Sequence, residues 1–94
     1  MVSKIIRVSA HSPVPQLAGS IIISIEAGED VELRACGASA VSQMYKGIAA
    51  ARGTLSSKGK DLFIKPGFGE VTEMNPETGL EEKKTIMLAK LVVN

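Results

Sequence analysis

The chain has 94 residues, 45% of them hydrophobic and 22% charged, a composition that suits one folded domain (1–94) and a length too short for two. Lys and Arg number 11 against 10 Asp and Glu, a net charge of +1, which excludes a histone-like polycation and any function that rests on bulk charge. One cysteine (Cys36) and one histidine (His11) leave no intrachain disulfide and no zinc ligand set, so no metal or cofactor is expected. With neither a signal-like segment nor an apolar run of about 18 residues, the expected location is cytoplasmic, without a membrane span.

Lys4 to Ala10 mixes β-branched apolar residues with Lys4, Arg7 and Ser9, which predicts a first strand with one buried face. Ser12-Pro13 reads as a helix N-cap with proline in the first helical position, and Leu17, Ile21, Ile22 and Ile25 follow at near-helical spacing. Ile21 to Ile25 is β-branched enough for a strand, and periodicity alone leaves that choice open; Gly28 ends the segment either way. Val31, Leu33 and Ala35 alternate with Glu32, Arg34 and Cys36, the pattern of a half-buried strand ended by Gly37. Ala38 to Arg52 repeats apolar residues at steps of three and four, a second helix with Gly53 in the C-cap position. Its residues Ala40, Gly47 and Ala51 make one side small, a face to which another backbone could come close.

Leu55 to Lys60 has turn chemistry. Asp61 to Lys65 predicts a short third strand stopped by Pro66-Gly67, Gly69 to Glu82 a long exposed loop, and Lys84 to Val93 the final strand. The order βαβαββ gives an α/β class fold, an α+β two-layer sandwich with two helices on one face of a four-stranded mixed sheet, because right-handed crossovers put both helices on the same side.

Charge is unevenly spread. Between Leu33 and Lys60 stand Arg34, Lys46, Arg52, Lys58 and Lys60 without an acid, whereas Gly69 to Glu82 holds Glu70, Glu73, Glu77, Glu81 and Glu82 without a base. The first stretch could attract phosphates, although a charge run is as often just a solvated face. His11 beside Ser12 has no third orienting group, so a cap or surface role outweighs catalysis. Gly67-Phe68-Gly69 lacks a dinucleotide fingerprint, and the free N–H groups at Cys36-Gly37-Ala38-Ser39 are what any strand-to-helix junction offers. Tyr45, Phe63 and Phe68 are too few for a base-stacking platform, so nucleic acid, if bound, would be held by its backbone.

Val8-Ser9-Ala10-His11-Ser12, Ala18-Gly19, the run from Glu32 to Ala38, the run from Lys46 to Gly53, Gly59-Lys60-Asp61-Leu62 and Thr85-Ile86 together resemble the stage V sporulation protein S family over nearly the whole chain. The resemblance implies an Alba-like fold, similar also to the C-terminal domain of bacterial translation initiation factor three, and usually a dimer. Alba-type proteins bind nucleic acid with basic residues near the start of the first helix, around the second helix and on a basic hairpin arm. Here the lysine of the family's V-S-A-K-S motif is replaced by His11, Lys46 and Arg52 match positions on the second helix, and the arm segment is acidic, which counts against an arm laid in a minor groove. A role in sporulation is implied only for a sporulating source.

The leading expectation is a small non-enzymatic nucleic-acid-binding or regulatory protein, a homodimer joined through the small face of helix two. It would hold DNA or RNA phosphates through Arg7, Lys46, Arg52, Lys58 and Lys60, helped by His11 and Ser12. The rival is a protein interaction or assembly module of the same fold; an anion or metabolite site at Gly37 comes third and an enzyme last.

Overall fold

The computed structural model describes residues 2–94. Its elements are β1 (Lys4–Val8), α1 (Val14–Glu26), β2 (Val31–Ala35), α2 (Ala38–Ser57), β3 (Leu62–Met74) and β4 (Glu81–Val93). The sheet order is β1-β2-β4-β3, with β1 parallel to β2 and the other pairings antiparallel. The expected βαβαββ order and two-layer architecture are therefore present.

Alternation sets the inner face of the sheet. Val31, Leu33 and Ala35 of β2 are buried while Glu32 and Arg34 lie on the opposite face, and the same parity buries Val8, Leu62, Ala89 and Leu91. Against them pack Leu17, Ala18, Ile21 and Ile25 of α1 with Ala40, Met44, Ile48, Ala51 and Leu55 of α2. Because Leu17, Ala18, Ile21 and Ile25 fall on one helical face, the choice left open at Ile21–Ile25 goes to the helix.

Several boundaries differ from those read in the sequence, each for a physical reason. Helix α1 starts at Val14 with Pro13 in the cap position, and the Ser12 hydroxyl does not cap it. That oxygen accepts the Ser9 N–H at 2.9 Å and closes a local turn. Helix α2 runs through Gly53 to Ser57, because Leu55, fully buried one turn beyond Ala51, anchors another turn to the core. It ends at Gly59 (φ +79°), where the Lys60 N–H reaches the Leu55 carbonyl and the Gly59 N–H that of Ser56.

Pro66 does not stop β3. The strand lies at the sheet edge, where a residue without an N–H costs no ladder bond, and it continues to Met74. The segment read as a loop is thus mostly a hairpin arm, paired from Leu62 opposite Val93 out to Met74 opposite Glu81. Its turn is fastened by Asn75, whose N–H donates to the Leu80 carbonyl and whose Oδ1 accepts the Glu77 N–H, both at 2.8 Å. The arm stretches the molecule to 51 × 27 × 18 Å. At its root Gly69 leaves room on the outer sheet face for Ile86 and Leu88, whose atoms would lie 3.1 and 3.2 Å from an added Cβ.

Candidate nucleic-acid interface

The seven residues singled out in the sequence fall into three places. The first is where the β1–α1 turn meets α2. Ser9 and Ser12 fold the turn on itself, the His11 N–H donating to Ser9 Oγ at 3.2 Å. The Gln43 side-chain amide then donates to the Ser12 carbonyl at 2.8 Å, tying the turn to α2 across 31 residues. Lys46 is exposed on α2 one turn beyond Gln43, the residue that holds the turn with His11 and Ser12. Arg52 is also exposed on α2 but about 120° further round its axis, in line with Tyr45 instead.

The second place is the far end of α2. Lys58 donates to Glu26 Oε1 at 2.5 Å, linking the ends of the two helices. The hydrogen bond and charge of Lys58 hold the Glu26 carboxyl below its ordinary value of 4.5. This lysine is therefore partly committed inside the chain. Lys60, half-buried, lines a cleft of ≈ 430 Å³ together with Lys65, Lys90, Glu29 and Asp30.

The third is the outer face of the sheet. Arg7 is exposed there, beside Arg34 on the neighbouring strand, on the side away from the helices. The structure therefore does not unite Arg7 with the α2 residues. Arg34 donates from Nε to Glu32 Oε2 at 2.9 Å. Sequence reading missed Lys65 and Lys90 as members of this face. Strand parity is visible in a sequence, but the register that sets Lys65 opposite Lys90 belongs to two segments far apart in the chain.

Two further expectations are corrected. The small side of α2 is not available to a second copy: Ala40, Gly47 and Ala51 are buried, and a Cβ on Gly47 would lie 2.5 Å from Leu17 Cδ2. Small residues are needed there because α1 crosses close to α2 in the same chain. The acidic segment is also less one-signed than its sequence range suggests. β4 returns beside it with Lys83 and Lys84, which pair with Glu70 at 3.8 Å and Glu73 at 2.9 Å. The Glu73 carboxylate raises Lys84 above its ordinary 10.5.

Among the described residues no group of three or more His, Cys, Asp and Glu side chains is placed to hold a metal ion, and no helix is long and apolar enough to cross a membrane. Residues 4–92 match the family model described as Stage V sporulation protein S. Among solved structures, Alba from Thermoplasma volcanium is similar over 93% of this chain and 96% of its own, with a TM-score of 0.69 at 15% sequence identity, a likeness that shows the fold.

Proposed function

Because the chain belongs to the stage V sporulation protein S family and has an Alba-like fold, we propose that it is a small regulatory protein that binds nucleic acid by its phosphate backbone. Neither the family nor the fold is known for enzymes. The observation that supports the reading is the Gln43–Ser12 bond, which holds the turn that carries His11 and Ser12 against α2, one turn before the exposed Lys46, with Arg52 further along the same helix. Cations at these places attract phosphates and release counterions.

Fluorescence anisotropy on two unrelated duplexes at several salt concentrations tests it. The double change Lys46→Ala with Arg52→Ala should weaken both duplexes about equally and reduce the slope of log K against log salt by roughly 2 per chain. Absence of binding at low salt would defeat the reading in favour of an interaction module. That second reading has one observation on its side, the exposed apolar side chains of Phe68 (77%), Met74 (63%) and Leu80 (67%) along the arm. A homodimer belongs to both readings, with a contact other than the small side of α2; sedimentation as a strict 9.9 kDa species at high micromolar concentration would exclude it.

A further inference from the structure

Over the body of the molecule, short of the arm, the outer sheet face breaks a local rule twice. Lys65 of β3 stands directly opposite Lys90 of β4, and Arg7 of β1 directly beside Arg34 of β2, each pair on the same face. Like charges in such neighbouring positions repel and destabilise a sheet. No ion pair among the described residues relieves Arg7, Lys65 or Lys90; the carboxylate between them, Glu32, is bonded to Arg34. Repulsion concentrated on one exposed face, with only Arg34 given a carboxylate partner, is the kind of local inconsistency that function, not folding, explains.

The four cations form a line. Glu32 is in register with Lys90, and Arg34 lies two residues along β2 from it. With strands about 4.8 Å apart and about 3.3 Å per residue, the line Lys65, Lys90, Arg34, Arg7 crosses the sheet diagonally in steps of roughly 5 to 8 Å over about 16 Å. One end opens into the ≈ 430 Å³ cleft lined also by Lys60, Glu29 and Asp30, the other into a ≈ 360 Å³ cleft between the strand ends and the arm, where, among the described residues, Glu73 is the one lining carboxylate. Next to the Lys65–Lys90 row, on the same face, Phe63 is 47% exposed. At the arm the same face carries Glu73 opposite Glu82, with Lys84 paired to Glu73 and the Asn75 side-chain amide donating to Glu82.

We propose that the outer face of the sheet is a second nucleic-acid site, one that holds an extended single strand along this diagonal. The cations take successive phosphates and Phe63 stacks one base beside Lys65. A single line of cations with a ring beside it suits a single strand. A duplex carries two phosphate lines and keeps its base faces stacked inside, out of reach of Phe63. The inference deepens the nucleic-acid reading and rests on it, but assigns a different substrate to the opposite layer of the molecule.

The test is anisotropy of labelled 12-nucleotide oligo-dU and oligo-U, with a duplex in parallel, on the full chain; the better-bound single strand identifies the sugar. Lys65→Gln with Lys90→Gln should weaken single-strand binding about tenfold and reduce its salt slope by roughly 1.4, leaving duplex binding unchanged. Phe63→Ala should weaken it about fivefold or more. The Lys90→Gln protein should melt no lower than the parent, since a repulsion is removed, so a loss of binding is not a loss of fold. Single-strand binding that follows only Lys46 and Arg52 would overturn the inference and leave the nucleic-acid reading standing. Equal competition by inorganic polyphosphate, with Phe63→Ala silent, would overturn it in favour of a general polyanion surface. No binding of any nucleic acid at low salt would overturn both.

Discussion

The body of the molecule and its arm are held by different forces. In the body, Ile21, Leu33, Ala51 and Leu55 are completely or almost completely removed from water, and the two helices close over one face of the sheet. The outer arm has no helix over it: past Ile86 every residue of the pairing Glu70–Met74 with Glu81–Thr85 is exposed or half-exposed, and what joins the strands is the backbone ladder, two exposed ion pairs and the exposed Asn75–Glu82 hydrogen bond. Burial is cooperative and ties residues from all six elements into one unit, whereas a two-stranded ladder in water is marginal by itself. Stability should therefore reside in the body, while the arm opens and closes locally without unfolding it.

Substitution at Leu33 should give the largest effect. Leu33→Ala removes a side chain with no exposed surface and should cost about 3 kcal/mol in urea unfolding. Gly47→Leu follows, at about 2 kcal/mol or more, because the new side chain meets Leu17 and α1 must shift to admit it. A monomer–dimer change without loss of stability would instead place a second copy at that helix face. Replacing Thr72–Lys83 by an Asn-Gly turn that joins Val71 to its register partner Lys84 should change the unfolding free energy by less than about 1 kcal/mol. A loss as large as that of Leu33→Ala would show that the arm is part of the cooperative unit.

The smallest effects separate the two regions by pH. Glu26, lowered by its hydrogen bond from Lys58, adds stability that is present above pH 4.5 and lost as pH falls through its lowered value. The Glu26→Gln protein should lose this acid-side dependence in global unfolding, since the pair joins the two helices. Lys84, raised by Glu73, adds stability that is complete below pH 10.5 and lost as pH rises through its raised value. As that pair lies in the arm, the alkaline change should appear as altered local opening of the arm, with global melting little moved. Global unfolding that tracks Lys84 and not Glu26 would reverse the assignment of rigid and soft regions.

Alternation, helical spacing and a left-handed glycine are local signals, and they were enough for the element order, the inward parity of β2 and the end of α1 at Gly28; the order of short motifs was enough for the family. Local signals in the sequence misplaced Gly53 and Pro66: one lies in a helix held on by the burial of Leu55, the other in a strand whose edge position makes the missing N–H harmless. The candidate site was legible as a list of basic residues and not as a surface. Only the tertiary structure could put Arg7 on the layer opposite Lys46, tie Lys58 to Glu26, spend the small side of α2 on α1, and bring Lys65 and Lys90 face to face. These are relations between segments 25 or more residues apart. They are decided by strand register and by which side the crossovers place the helices, and neither is encoded in any one stretch of chain.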